Sequence, residues 1–266
     1  MKAAVYHGPG DIRVESVPDP ASPGPGEVVL RVTRAAICGT DAAEWAHGPL
    51  LARPPVVLGH EFAGTVVAAG DGAGGLAAGD RVVCGAGVSC GGCAWCRAGR
   101  TNLCASYLTL GLHADGGLAE FAVAPAAICQ RVPERVTDDA AAMAQPLAVA
   151  LHAVRRGGVE AGQACVVIGV GGIGAFIVAG AAARGAAPLI AVDLDDDRLA
   201  TASRLGAHQA VNLRGHDSFD SSGGPAATME PARGPSGHGT VPPEPPSAAA
   251  VAAAILDATG DQGAQV

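Results

Sequence analysis

Lysine and aromatic residues are scarce in this chain of 266 residues, in which Lys2 is the only lysine and aromatic residues make up 3%. Its 17 basic and 25 acidic residues leave a formal net charge of −8. An acidic chain is a poor partner for nucleic acid, because phosphates bind basic surfaces. No apolar run reaches the ~20 residues of a membrane span without an interrupting Gly, Arg or Pro. We therefore expect neither a nucleic-acid partner nor a membrane partner.

The N-terminal residues lack the hydrophobic region of a signal peptide, and the chain has no internal repeat. This predicts a cytoplasmic location, where the eight cysteines are expected to be thiols or metal ligands rather than disulfides. Cys84, Cys129 and Cys165 lie in apolar, strand-like segments. These three are interpreted as ordinary buried residues.

The pattern of hydrophobic residues changes near Pro146. Residues 1–145 contain short apolar runs separated by Pro and Gly, which is typical of a mainly β domain of the barrel or sandwich type. Residues 146–212 alternate strands with helices, which predicts βαβ units and a parallel sheet. Residues 213–247 are rich in Gly, Pro and Ser and predict a disordered linker, and residues 248–266 are helix-like.

Four cysteines form a closely spaced cluster, C-x2-C-x2-C-x7-C, made of Cys90, Cys93, Cys96 and Cys104. Four thiolates at this spacing can surround one tetrahedral zinc ion and leave no open position, so the site would be structural. A [4Fe–4S] cluster is the main alternative, because its ligands share the two-residue spacing. Four unrelated thiols are the remaining interpretation.

Cys38, His60 and Glu61 offer a second set of zinc ligand types. Three protein ligands leave a fourth position for water or substrate, as in catalytic zinc sites. The spacing alone is weak evidence and favours structural roles for these residues over a metal centre.

A glycine-rich motif, G-x-G-x-x-G, follows a predicted strand and opens a predicted helix; its glycines are Gly169, Gly171, Gly172 and Gly174. Asp193 ends the next predicted strand, as a dinucleotide-binding unit requires. Asp193 would bind the ribose 2′-hydroxyl and repel a 2′-phosphate, so NAD is favoured over NADP. A glycine-rich turn without a ligand is the alternative.

Further motifs occur alongside these, namely Ile37–Asp41, Gly59–Ala73 (G-H-E-x2-G-x5-G-x2-A), Gly79–Val82 and Gln145–His152. With them the chain resembles the zinc-dependent medium-chain alcohol dehydrogenases, and within these the polyol branch of sorbitol and 2,3-butanediol dehydrogenases. The resemblance is continuous from Met1 to about Asn212. It implies a GroES-like, β-rich catalytic domain over residues 1–145, followed by the first half of a Rossmann-type NAD-binding domain over residues 146–212.

The resemblance also implies roles for single residues. A catalytic zinc would be held by Cys38, His60 and Glu61. Asp41 would orient His60, and Thr40 would relay the proton of the zinc-bound alcohol. Gln145 stands where the polyol branch usually has Glu, near the fourth zinc position, and is a possible ligand. Arg198 would flank the adenine of NAD.

The implied activity is hydride transfer between a secondary alcohol or polyol and NAD, with one catalytic and one structural zinc ion. Full-length members of the family are expected to be homo-oligomers. At most three strands of the Rossmann sheet are present, and residues 248–266 resemble only the helix before a fourth. We therefore expect a shortened or partial chain with very low turnover. A non-catalytic remnant that binds zinc or nucleotide is the alternative function.

Overall fold

A computed structural model describes residues 1–215 of the protein. The chain divides into two compact units, Met1–Ala148 and Val149–Val266, which are described separately below. The predicted boundary near Pro146 falls within a helix that contains the dividing point. The helix-like segment 248–266 and nearly all of the predicted linker lie outside the described residues.

The strands and helices follow the chain in this order: β1 Lys2–Gly8, β2 Asp11–Ser16, β3 Glu27–Ala35, α1 Gly39–His47, β4 Val56–Val57, β5 Phe62–Ala69, β6 Arg81–Cys84, β7 Gly87–Val88, α2 Ala94–Arg97, β8 Leu108–Thr109, β9 Phe121–Pro125, β10 Cys129–Arg131, α3 Asp138–Ala142, α4 Ala144–Arg156, β11 Cys165–Ile168, α5 Gly172–Ala183, β12 Leu189–Asp193, α6 Asp196–Arg204 and β13 Gln209–Asn212. Short 3-10 turns lie at Thr101–Leu103, Ala126–Ile128 and Leu213–Gly215.

The first unit is built from antiparallel sheets. A five-stranded sheet has the order β10-β6-β5-β3-β9, a three-stranded sheet has the order β2-β1-β4, and β7 pairs with β8. Strands β6 and β9 alternate buried and half-buried residues, as expected when one face of a sheet covers the core. The core beneath the larger sheet includes Leu30, Phe62 and Val82. The mainly β character of this region is confirmed.

The second unit contains a parallel sheet of three strands, β11-β12-β13, in its described part. All five residues of the central strand β12 are buried, which accounts for its wholly apolar run before Asp193. Helix α5 contacts β11 and β12, and α6 contacts β12 and β13. The predicted alternation of strands and helices is therefore confirmed over residues 165–212.

Two regions illustrate where the structure differs from the sequence-based expectation. Cys38–Asp41 was expected to end a strand, but helix α1 begins at Gly39 and continues to His47. The ordered chain also continues past the predicted start of the linker at residue 213, because Leu213 is buried against Ile190 and Val192. Among the described residues, no helix is long and apolar enough to cross a bilayer.

Candidate metal centres and dinucleotide site

The structure brings Cys38, His60 and Glu61 together at the ends of two neighbouring strands. One potential ligand atom of each lies within 4.8 Å of the others. Cys38 is the N-cap of α1, three residues after β3, and His60 and Glu61 directly precede β5. A hydrogen bond from the Ala36 N–H to the Glu61 carbonyl, at 2.8 Å, joins the two chain segments. Cys38 therefore meets two other donors of zinc-binding type, the adjacent His60 and Glu61, which lie more than 20 residues further along the chain.

The backbone at Gly59 sets the direction in which His60 enters this cluster. Gly59 has a φ of +98°, and a Cβ there would lie 2.6 Å from the Leu118 nitrogen. The Gly117 N–H donates to the Gly59 carbonyl at 2.9 Å. Only glycine combines this positive φ with so close an approach of the 117–118 backbone.

Asp41 lies beside the cluster with its carboxylate buried. Its Oδ2 accepts a hydrogen bond from the Cys38 N–H at 2.8 Å, and its Oδ1 is 3.8 Å from His60 Nδ1. Within residues 1–215, neither Asp41 Oδ1 nor His60 Nδ1 has a hydrogen-bond partner, although both atoms are buried. Burial raises the pKa of Asp41, while the Cys38 N–H and His60 act in the opposite direction.

This pair of buried, unpartnered atoms indicates that the site fits a metal ion. Buried polar groups are nearly always satisfied, so an exception calls for an explanation. A metal on the other imidazole nitrogen, Nε2, would fix Nδ1 as a hydrogen-bond donor toward the carboxylate of Asp41. The donor set of one thiolate, one imidazole and one carboxylate is one that zinc accepts.

Thr40 and Gln145 occupy different places relative to the three donors. Thr40 Oγ1 lies 3.6 Å from Cys38 Sγ, so its hydroxyl is directly beside the cluster. Gln145 is half-buried in the first turn of α4. Within residues 1–215 no hydrogen bond joins Gln145 to the three donors, so its role as a ligand stays a prediction.

The four cysteines at 90, 93, 96 and 104 also converge, with all sulfur atoms within 4.8 Å of one another. The Cys93 sulfur accepts from the Cys96 N–H at 3.5 Å and caps helix α2, and the Cys104 sulfur accepts from the Cys90 N–H at 3.3 Å. All four are free thiols, as predicted. The cluster is therefore a small lobe whose ligands are fixed by local turns.

Neighbouring N–H groups prepare part of this lobe for metal binding. The Cys96 and Ala105 backbone N–H groups lower the pKa of Cys93 to about 6, which favours its thiolate form. Burial and the neighbouring Cys93 raise the pKa of Cys96 to about 11. A cation placed among the sulfurs would stabilise the thiolate form of all four, because metal ligation deprotonates cysteine.

The glycine-rich motif forms the turn between β11 and α5. Gly169 has a φ of +80°, and a Cβ on Gly174 would lie 1.9 Å from the Gly169 carbonyl oxygen. In the part of the chain that the structure describes, Gly171 is the N-cap of α5 with no side-chain cap, and a Cβ on Gly172 would meet nothing within 4 Å. The first turn of α5 therefore offers free N–H groups and open space to a phosphate.

Asp193 ends β12 and holds the glycine-rich turn in place. Its Oδ2 accepts from the Val170 N–H at 2.8 Å. Its Oδ1 accepts from the N–H groups of Leu194 and Asp195 at 2.7 and 3.1 Å. The Arg198 guanidinium lies 3.9 Å from the same carboxylate. Three of the roughly four acceptor positions of the carboxylate are thus occupied, and about one is left for a ribose hydroxyl.

Glu44 is a buried carboxylate that sequence reasoning missed. It has no exposed surface and lies in α1, three residues after Asp41. It accepts hydrogen bonds from the N–H groups of Leu50, Leu51 and Ala52 at 2.8, 2.6 and 3.2 Å. The carboxylate thereby ties the loop after α1 to the helix that carries Thr40 and Asp41. No sequence signal marked it, because α1 itself was not predicted.

Comparison with known proteins matches residues 24–134 to the alcohol dehydrogenase GroES-like domain. Human sorbitol dehydrogenase is 41% identical over 213 residues, which are 79% of this chain and 59% of that protein. A zinc-binding dehydrogenase from Sinorhizobium meliloti bound to NADP aligns with a TM-score of 0.77 and 36% identity, over 81% of this chain and 63% of that one. An Escherichia coli alcohol dehydrogenase in complex with NADH aligns with a TM-score of 0.74 and 35% identity, over 80% and 62%. The chain therefore spans about three fifths of the length of these relatives.

Proposed function

This chain belongs to the zinc-dependent medium-chain alcohol dehydrogenase family, and from that premise we propose that it transfers hydride between a secondary alcohol or polyol and NAD. The observation that carries the proposal is the convergence of Cys38, His60 and Glu61 beside the unpartnered Asp41 Oδ1. Sorbitol dehydrogenase, with 41% identity, supports a polyol as substrate.

The three donors would hold a zinc ion that polarises the substrate hydroxyl, and bound NAD would accept the hydride. Asp41 orients His60 through the ring nitrogen Nδ1. The other ring nitrogen, Nε2, is thereby directed at the metal position. The hydroxyl of Thr40, beside the Cys38 sulfur, accepts the proton of the substrate hydroxyl and donates its own onward. The half-buried Gln145 is proposed as a neutral neighbour of the fourth position.

The dinucleotide would bind at the glycine-rich turn. The N–H groups at the start of α5 would donate to the pyrophosphate, and Gly171 and Gly172 leave the space that this approach needs. The free acceptor position of Asp193 would take the adenosine ribose hydroxyl, and its negative charge would disfavour a 2′-phosphate. Related structures hold NADP in one case and NADH in another, so our proposal of NAD depends on Asp193.

The four-cysteine lobe would hold a second, structural zinc ion. Four sulfur donors fill a tetrahedral shell and leave no position for substrate. Zinc rather than an iron–sulfur cluster is proposed because relatives of this chain include a zinc-binding dehydrogenase. We also propose a cytoplasmic location, where the eight cysteines would stay reduced.

The experiment measures three quantities on the purified chain. Elemental analysis gives zinc per chain, calorimetry gives the affinity for NAD and for NADP, and absorbance of NADH gives turnover with sorbitol and 2,3-butanediol. We expect up to two zinc ions and tighter binding of NAD than of NADP. Any turnover is expected to disappear in Cys38→Ala and to persist in Cys165→Ala, whose thiol lies at the start of β11.

The outcomes separate the two candidate functions. Zinc and NAD binding without turnover of either alcohol would favour the non-catalytic interpretation. Equal affinity for NAD and NADP would contradict the role given to Asp193. A chain with zinc only in the four-cysteine lobe would overturn the catalytic site.

A further inference from the structure

Cys84 and Cys129, both outside the proposed sites, face each other across two antiparallel strands. Cys84 ends β6 and Cys129 begins β10, and the strand register places the two residues directly opposite. They are separated by 45 positions in the sequence. Both are free thiols in the structure.

The hydrogen bonds on either side of the pair determine how close the two residues are. The Gly85 N–H donates to the Ile128 carbonyl, and the Val132 N–H donates to the Arg81 carbonyl, each at 2.8 Å. Hydrogen-bonded and non-hydrogen-bonded pairs alternate along an antiparallel ladder, so the Cys84–Cys129 pair is a non-hydrogen-bonded one. In such pairs the Cα atoms are about 4.5 Å apart and the side chains are at their closest. A disulfide requires a Cα separation of about 4.4–6.8 Å.

The two thiols share one buried environment. Their residues are 1% and 6% exposed and belong to the core cluster under the five-stranded sheet. The Cys84 thiol donates to the Gly85 carbonyl at 3.3 Å, and the Cys129 thiol donates to the Pro125 carbonyl at 3.6 Å. Cys129 is the more exposed of the two and lies on the edge strand, so it is the member of the pair that an oxidant would reach first.

The position of β10 in the sheet gives an oxidant a route to the pair. Strand β10 has three residues and lies at one edge of the five-stranded sheet. Short edge strands open locally more often than central ones, because fewer contacts hold them. Brief detachment of β10 would expose Cys129 without unfolding the remaining strands.

We propose that Cys84 and Cys129 are a modification site, at which a hydroperoxide forms a reversible cross-strand disulfide. The disulfide would close a chain segment that contains the whole four-cysteine lobe. It would fasten the edge strand β10 to β6 at the base of that segment.

With hydrogen peroxide as the hydroperoxide, the reaction consumes one peroxide and releases two water molecules. The Cys129 thiolate attacks one peroxide oxygen, the O–O bond breaks, and Cys129 becomes a sulfenic acid while hydroxide takes up a proton. The Cys84 sulfur then attacks the Cys129 sulfur, the S–S bond forms and the S–O bond breaks. The departing hydroxide takes the Cys84 proton and leaves as water. A dithiol reductant reverses the modification by thiol–disulfide exchange.

The test treats the zinc-loaded chain with hydrogen peroxide, blocks remaining thiols, and digests the protein with pepsin at low pH. Pepsin is used because trypsin leaves Cys84 and Cys90 in one peptide and Cys104 and Cys129 in another. Tandem mass spectrometry then locates the link, and elemental analysis of the desalted, peroxide-treated protein before digestion checks that the zinc is retained. Cys165→Ala is the matched control, since Cys165 is another buried thiol, outside the Cys84–Cys129 pair.

We expect a Cys84–Cys129 link in the parent chain and in Cys165→Ala, and its loss in Cys84→Ala and in Cys129→Ser. The linked chain is expected to unfold roughly 5–10 °C higher than the reduced chain, with reversal by dithiothreitol. Absence of the link in the parent chain would overturn the proposal, as would a link that joins either residue to a cysteine of the lobe. The parent chain decides the outcome even if a variant fails to fold.

Discussion

The two groups of residues proposed to bind metal are built in opposite ways. The four-cysteine lobe draws all its sulfurs from residues 90–104, and two backbone hydrogen bonds to its sulfurs join residues 3 and 14 positions apart. The cluster of Cys38, His60 and Glu61 depends on the pairing of β3 with β5, and His60 and Glu61 are almost fully buried. The first lies in a short segment with little core of its own, so we expect a bound metal to stabilise it, whereas the second is shaped by the sheet itself.

The largest effect is expected for Cys96→Ser. Removal of one thiolate should abolish zinc binding in the lobe and leave residues 90–104 unfolded, because structural zinc contributes directly to folding. Elemental analysis should show one zinc ion fewer per chain, and trypsin should cut rapidly after Arg97 and Arg100. The Cys165→Ala chain should keep its zinc and its resistance. Unchanged zinc content in Cys96→Ser would refute the assignment of the lobe.

His60→Ala is expected to empty the other site and leave the lobe occupied. Loss of a direct ligand should weaken zinc binding more than the ~100-fold that loss of an orienting neighbour produces. Glu61→Gln should weaken it less, since the side chain keeps an oxygen and loses only its charge. Zinc titration against a competing chelator measures both. If His60→Ala, Cys38→Ala and Glu61→Gln all retain two zinc ions, these residues do not bind metal.

Two glycine substitutions compare how much folding free energy depends on the backbone at each site, with Gly59 beside His60 and Gly91 in the four-cysteine lobe. Gly59→Ala should cost about 2–4 kcal/mol of folding free energy, because a Cβ there adds positive-φ strain to an overlap with Leu118. Gly91→Ala, at a φ of +69° with open space around it, should cost only ~1 kcal/mol. Chemical denaturation of both variants measures the difference. Equal losses would show that the sheet-built site is no more constrained than the lobe.

The smallest change in zinc binding is expected for Asp41→Asn. The amide oxygen can still accept from the Cys38 N–H, but the variant loses the negative charge facing His60 Nδ1. Zinc affinity should fall ~10–100-fold at this site alone. Asp41→Ala, which also loses the acceptor for Cys38, should fall further. Equal affinities in Asp41→Asn and the parent chain would remove Asp41 from the metal site.

The same contrast explains what could be predicted from the sequence. The spacing of the four cysteines predicts their cluster directly, because short turns alone bring them together. The glycine-rich turn is likewise local, and the structure places Gly169 and Gly174 in contact as that motif requires. By contrast, nothing in the spacing of Cys38 and His60 shows that they meet, and only resemblance to a family predicted it.

The features that sequence analysis missed all depend on long-range pairing or on side chains satisfying backbone groups. Cys84 and Cys129 were interpreted as separate buried residues, since the register that aligns β6 with β10 is not visible in either strand. The bonds of Glu44 to residues 50–52 belong to an irregular loop without a repeating pattern. Asp193 was predicted to bind the ribose, and its additional hydrogen bonds to the backbone N–H groups of Val170, Leu194 and Asp195 were not foreseen.

The hydrogen bond between Asp193 and Val170 has a consequence for the speed and cost of cofactor capture. The turn that would receive the pyrophosphate is held to the end of β12 by the chain's own hydrogen bond from the Val170 N–H to Asp193. An arriving dinucleotide would therefore not have to order this turn, and less of its interaction energy would be spent on lost backbone entropy. The dinucleotide would bind this turn without rearranging it. The association rate would then be limited by diffusion and orientation rather than by movement of the loop.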